Sequence, residues 1–398
     1  MGRAVLIRAA AAAAIVASVF LTQSPSRETG PAVPAAAPVP MTAAAAPVER
    51  AAAMVSSMTT QEQAASVVMG HIASSDTAAL AGYMAQDGGL GGFILMGANV
   101  PETEDALRSV TAALIGDGGI PPLIAIDQEG GPVSRLNWDG FAAAPTLKGA
   151  PPADTAAAFT GRAALVARGG ANVNFGVVAD TTADRSSFIF GRSLGADPAT
   201  AAERVAAAVT AEEPVVASTL KHFPGHGAAP GDSHELIPST PITLEQWRAA
   251  DAVPFVAGID AGASLLMFGH LAYTAVDPAP ASLSARWHEI ARDDLGFDGV
   301  TVTDDLGMLQ STGIAAYADP VANAVAALSA GNDLVLTIAH STPATASQIV
   351  AGITAAVEAG TLPAERLQEA AERVLTLRLE LAAAGAVWAP CGECEPAS

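Results

Sequence analysis

Eight short, nearly continuous apolar runs are spread along the chain, separated by longer stretches rich in alanine. They are Ser66–Gly70, Gly92–Met96, Leu123–Asp127, Val173–Asp180, Ser218–Phe223, Ser264–His270, Gly299–Asp304 and Asp333–Leu336. A strand covered on one face alternates apolar and polar residues, whereas a strand covered on both does not. The runs therefore read as buried parallel strands. Helical patterns fill the intervals. Thr59-Thr60-Gln61-Glu62 is a capping-box pattern, and Thr243 with Gln246 opens a helix predicted over Leu244–Ala257. Ile349, Ile353 and Val357 recur every four residues in a helix predicted over Ser347–Ala359. Strands alternating with helices predict βαβ units, and eight of them predict a single (β/α)8 TIM-type barrel over residues 48–386. An open doubly wound sheet would give a similar string. No Gly-rich phosphate fingerprint follows any of the runs, which argues against a nucleotide-binding oxidoreductase.

Several runs end in ionisable residues: Asp127, Asp180, Lys221 with His222, His270, and Asp304. In a barrel the carboxyl ends of the strands are where catalytic groups converge. The remaining composition narrows the partners. A formal net charge of −21 is unsuited to a phosphate backbone, so no nucleic-acid partner is expected. The alanine that dominates the apolar fraction suits helices packed closely in an outer ring.

The termini read separately. Arg3 and Arg8 precede an uncharged apolar run from Ala9 to Leu21, the pattern of an export signal or N-terminal anchor over residues 1–23. This run is short for a membrane span, which needs ~20 residues. No small-x-small cleavage site follows, which leaves an uncleaved anchor and membrane or cell-wall association open. No nearby cysteine could carry a lipid. Residues 24–47 are a Pro/Ala linker with little to bury. The only cysteines, Cys391 and Cys394, fall in a tail at 387–398, where a local disulfide is expected and no function is assigned. The expected location is secreted or cell-envelope, and the expected state is a monomer.

Three motifs carry the chemistry. In Asp127-Gln128-Glu129-Gly130-Gly131-Pro132-Val133-Ser134-Arg135 the paired glycines permit a tight turn, so that Arg135 can return to the pocket beside Asp127. Asp127 could equally cap the next helix. The stretch Lys221-His222-Phe223-Pro224-Gly225-His226-Gly227, followed by Gly231-Asp232-Ser233-His234, is the most specific in the chain. Residues two apart in an extended segment face the same way, so Asp232 can orient His234 as a general acid and base. A metal site is the rival reading of so many histidines. The chain has no HExxH and no second acid–histidine cluster, so neither metal nor cofactor is expected. Finally, the β-branched run Val300-Thr301-Val302-Thr303 leads into Asp304-Asp305. Asp304 is placed to act as a nucleophile. Asp305 is placed to cap the following helix or to orient the loop, and the motif taken alone reads more readily as two acids capping that helix.

Together these motifs resemble glycoside hydrolase family 3, in its N-acetylhexosaminidase branch, over about Thr59 to Leu336. The resemblance implies a retaining β-N-acetylhexosaminidase that acts on terminal β-linked N-acetylglucosamine of peptidoglycan fragments or related oligosaccharides. It assigns Asp304 as nucleophile, His234 as acid/base and Asp232 as its orienting partner. It also implies that Asp127, Arg135, Lys221 and His222 bind the sugar, with Arg192 of Gly191-Arg192-Ser193-Leu194-Gly195. Pro132, Leu194 and Phe268-Gly269 depart from the family pattern without touching the catalytic trio. A phosphorylase using phosphate in place of water is the close alternative. A saccharide-binding protein without turnover is the alternative of another class.

Overall fold

The computed structural model describes residues 46–116 and 119–385. The expected export segment, nearly all of the Pro/Ala linker and the Cys391/Cys394 tail lie outside the described residues.

All eight apolar runs form strands: β1 Val68–Gly70, β2 Gly92–Leu95, β3 Leu123–Ile126, β4 Val173–Val178, β5 Ala217–Phe223, β6 Leu265–Phe268, β7 Val300–Thr303 and β8 Val335–Leu336. They form one sheet in the order β7-β6-β5-β4-β3-β2-β1-β8, and every pairing is parallel. Between β7 and β8 the ladder is reduced to the parallel bridge Val302–Leu334. The Thr303 N–H donates to the Leu334 carbonyl at 3.1 Å, and the Leu336 N–H to Thr303 Oγ1 at 3.0 Å. The sheet thus closes on itself as the expected barrel.

Neighbouring residues of one strand belong to different cores, which explains why the runs are apolar throughout. Met69, Ile94, Leu123, Ala125, Phe175, Met267, Val302 and Leu336 cluster together and fill the barrel. Phe93, Leu95, Ile124 and Ile126 instead pack with Val110, Leu114, Leu165 and Val166 of the surrounding helices. Side chains of a strand alternate between faces, and here both faces are covered by protein.

The Thr59–Glu62 and Thr243–Gln246 capping boxes both form. The single helix predicted over Leu244–Ala257 does not: Leu244–Ala249 and Ala252–Asp260 are separate helices, with Ala250 in a non-helical conformation. Pro254 is the reason, since it cannot donate to the carbonyl of Ala250 and its ring would clash there. The chain after β8 forms helices Thr345–Glu358 and Ala364–Ala384. The second is tied to the barrel by the wholly buried Asp333, whose carboxylate pairs with Arg292, Arg366 and Arg373.

Candidate active site

A cleft of about 320 Å³ opens at the carboxyl ends of the strands. Its floor is the top of the barrel core, where Ile94, Phe175, Met267 and Leu336 end the interior packing. Its polar lining includes Asp127, Arg135, Arg192, Lys221, His222, His234 and Asp304. Seven of the eight residues singled out in the sequence therefore share one cavity, and Asp232 reaches it through its contact with His234.

The charged part of the lining is built on β3 and β5. Asp127 follows β3, and the chain then folds into the antiparallel hairpin Gln128–Gly130 with Val133–Ser134. Gly130 and Gly131 make its turn at φ 85° and 70°, a region that side chains rarely tolerate. A Cβ on Gly130 would also fall 2.2 Å from the guanidinium of Arg162. The Gln128 amide oxygen accepts from the N–H groups of Arg135 and Leu136, both at 2.9 Å, which fixes the returning strand. Arg135 Nη2 consequently lies 2.9 Å from Asp127 Oδ2, and Lys221 Nζ lies 3.0 Å from Asp127 Oδ1.

Glu129 is the member that sequence reading passed over. It is buried, accepts from Arg192 Nε at 3.0 Å and Nη2 at 2.7 Å, and pairs with Lys221 Nζ at 2.7 Å. The two carboxylates and three cations form one continuous network. Burial alone would raise the pKa of Asp127 and Glu129. The charges of Lys221 and Arg135 on Asp127, and of Lys221 and Arg192 on Glu129, outweigh it, so both are held below the ordinary carboxylate range.

The Lys221–His222 peptide is cis. His222 Nδ1 lies 2.7 Å from Asp180 Oδ2, and Arg192 Nη2 donates to His222 Nε2 at 3.3 Å. Asp180, wholly buried, also accepts from the backbone N–H groups of His222 and His226. Its part is to hold the start of the loop after β5, a task its position at a strand end did not reveal.

Asp304 stands at the end of β7. Its Oδ1 accepts from the Asp305 N–H at 2.8 Å, and its own N–H donates to the Phe268 carbonyl. Burial would push its pKa up, but His222, His270, the Asp305 N–H and Lys221 together bring it below the ordinary value. The carboxyl is therefore ionised at neutral pH, the form a nucleophile needs. Asp305 also touches the cleft, and its side chain caps helix Leu306–Ser311. It accepts from the N–H groups of Gly307, Ile338 and Ala339 at 2.8–2.9 Å. His270 is buried behind this turn, bonded to Ser282 Oγ and the Asp305 carbonyl.

His234 Nδ1 lies 2.6 Å from Asp232 Oδ1, and the His234 N–H donates to the same oxygen at 3.0 Å. The two meet as expected, but by a different route: the segment is a turn closed by the aspartate side chain, not an extended strand. A carboxylate accepts at Nδ1, and among the described residues Nε2 has no hydrogen-bond partner. The His234 side chain is 62% exposed and Asp232 39%, so the pair stands at the rim while Asp304 lies below it. Among the described residues no group of three or more His, Cys, Asp or Glu is arranged to hold a metal ion.

Comparison with known proteins gives this architecture a lineage. Residues 59–377 match the family model described as glycosyl hydrolase family 3 N terminal domain. A protein named beta-hexosaminidase from Pseudomonas aeruginosa is 38% identical over 254 residues, 62% of this chain and 74% of that protein. A solved glycoside hydrolase family 3 beta-N-acetylglucosaminidase from a Paenibacillus species superposes with a TM-score of 0.74 at 29% identity; the match covers 82% of this chain and spans 63% of that one. A solved beta-N-acetylhexosaminidase from Beutenbergia cavernae gives a TM-score of 0.70 at 31% identity, covering 81% of this chain and 98% of that one. The barrel, the cleft at its carboxyl end and the matched motifs agree: this chain belongs to glycoside hydrolase family 3.

Proposed function

We propose that this glycoside hydrolase, of the β-N-acetylhexosaminidase type, removes terminal β-linked N-acetylglucosamine by a retaining double displacement. The observation that carries the reading is the placement of an ionised, strand-end Asp304 and an aspartate-held His234 on one cleft lined by sugar-binding groups. At about 320 Å³ the cleft is at the small end of the ~300–1,000 Å³ typical of small-molecule sites. That suits one terminal sugar better than the interior of a chain.

In the first step an Asp304 oxygen attacks the anomeric carbon as the glycosidic C–O bond breaks, and His234 Nε2 gives its proton to the departing oxygen. A glycosyl ester on Asp304 results. In the second step His234 takes a proton from water, whose oxygen attacks the anomeric carbon and releases Asp304. Asp232 keeps the Nδ1 proton and the ring orientation throughout. Asp127, Arg135, Arg192, Lys221 and His222 bind the sugar's hydroxyl and acetamido groups. The substrate is an oligosaccharide ending in β-linked N-acetylglucosamine, of the peptidoglycan-fragment or chitin type. The N-terminal charge and apolar pattern support action outside the cytoplasm.

A histidine in place of the usual second carboxylate removes one negative charge from the path of an incoming nucleophile, which keeps phosphate as a rival acceptor. The test is turnover of a chromogenic β-N-acetylglucosaminide with and without phosphate, with identification of the sugar product. Free N-acetylglucosamine in both conditions supports hydrolysis, and sugar 1-phosphate replaces the reading by a phosphorylase. Absence of turnover with intact saccharide binding leaves a binding protein.

A further inference from the structure

Beside the cleft lies a second groove of about 520 Å³, between the loop after β4 and the loop after β5. Phe188 lines both cavities, and Asp232 lines the groove while its partner His234 lines the cleft. The glycosidic oxygen has to lie within reach of His234, so the leaving group starts at this dyad and extends away from the terminal sugar. The groove begins at that point.

Its lining has a definite chemistry. The Phe188 ring, held edge-on against the buried His226 at a centroid distance of 4.7 Å, supplies an apolar face. Thr182, Ser186 and Ser187 supply hydroxyl groups, and Asp184 and Asp232 supply carboxylates. Asp184 is exposed and accepts from the N–H and hydroxyl of Ser186, which hold its carboxyl below the ordinary value. Among the described residues no lysine or arginine lines the groove. The arrangement is opposite to that of the cleft, where Lys221, Arg135 and Arg192 face the terminal sugar.

Resting on the reading of the cleft above, we propose that this groove is the leaving-group site and that it selects a neutral saccharide over one bearing a carboxylate. The carboxylates accept from sugar hydroxyls, the side-chain hydroxyls accept from and donate to them, and Phe188 covers an apolar sugar face. An acidic leaving group meets the like charge of Asp184, which no lysine or arginine among the described lining residues offsets, whereas Asp232 is paired with His234.

The experiment compares kcat/KM of the full chain on two disaccharides with the same terminal sugar: N,N′-diacetylchitobiose, and N-acetylglucosamine β-1,4-linked to N-acetylmuramic acid, whose leaving sugar carries a carboxylate. An aryl β-N-acetylglucosaminide serves as the reference. The neutral disaccharide is expected to be preferred by roughly 5- to 10-fold, the size of a partly screened like-charge contact. Asp184→Asn should shrink this ratio, Asp184→Lys should bring it to unity or reverse it, and added salt should weaken it in the wild type. Asp184 is on the surface, so these variants retain the fold. A preference for the acidic disaccharide, or a ratio unmoved by Asp184→Lys, overturns the groove assignment while aryl glycoside turnover leaves the reading of the cleft standing. No turnover of the aryl glycoside overturns both.

Discussion

At the residue scale, the proposed mechanism divides the chemistry between a histidine at the rim and an aspartate below it. His234 is more than half exposed yet tied to Asp232 at 2.6 Å, so its orientation is set by one carboxylate rather than by packing. Its contribution should therefore depend on how much the leaving group needs a proton. His234→Ala is expected to lose about 100- to 10,000-fold on a disaccharide, the usual worth of general acid catalysis, and far less in the first step on an activated aryl glycoside. Asp232→Ala should show the same pattern more mildly. Single-turnover rates on the two substrates check this, and equal losses on both would contradict it. The place of a residue in the cleft was legible in the sequence where an ionisable residue type and a strand end coincided, as at Asp127, Lys221 and Asp304. Glu129 was not, although it lies two residues beyond Asp127 in the same motif. Its partner Arg192 is sixty-three residues away in sequence, and only the closed barrel brings a long-range ion pair into view.

At the scale of elements, the strands were legible because both of their faces are buried, which leaves an unbroken apolar signature. The helix boundaries were less so: Pro254 splits one predicted helix into two, and a capping box marks where a helix starts but not where it stops. The turn after β7 carries the most consequence for the site. Asp305 satisfies N–H groups of Gly307, Ile338 and Ala339, so one carboxylate joins the end of β7 to the loop after β8 directly behind Asp304. Asp305→Ala removes a helix cap and leaves two further N–H groups without their partner. A loss of about 3 kcal/mol is expected, with a fall in kcat from the misplaced neighbour. Denaturant unfolding of Asp305→Ala and Asp305→Asn tests this. The asparagine variant should recover part of the stability, and wild-type stability in the alanine variant would show that the turn is held by other contacts.

At the scale of the whole molecule, the buried carboxyls divide into two sets with opposite pH dependence. Asp127, Glu129, Asp180 and Asp333 are each pushed up by burial but brought below their ordinary values by the cations and N–H groups around them. Their stabilisation is present above the unfolded values of ~4 and is lost as pH falls below them. Glu212, Asp251 and Asp305 are raised by burial, to about 8, about 7 and about 6. Folding favours their protonated forms, so that contribution is lost as pH rises from ~4 through those values. The Tm should therefore peak on the acid side of neutrality and fall between pH 6 and 8.5. Glu212→Gln should flatten the alkaline limb, because Glu212 is wholly buried and only one of its oxygens is hydrogen-bonded, to Asn174 among the described residues. A Tm that rises across that range would contradict the assignment.

The same barrel that buries these groups delivers Asp304 to the cleft as an ionised carboxylate, and the proposed double displacement depends on that residue forming a bond to the sugar. The direct measurement is trapping with a 5-fluoro N-acetylglucosaminyl donor, which slows release of the glycosyl-enzyme, followed by mass spectrometry of the intact protein and of its peptides. One sugar per chain, attached to Asp304 and absent from Asp304→Ala, is the predicted result. A label on Asp305 or Asp180, or an Asp304→Ala variant that still turns over substrate through a trapped ester, would contradict it.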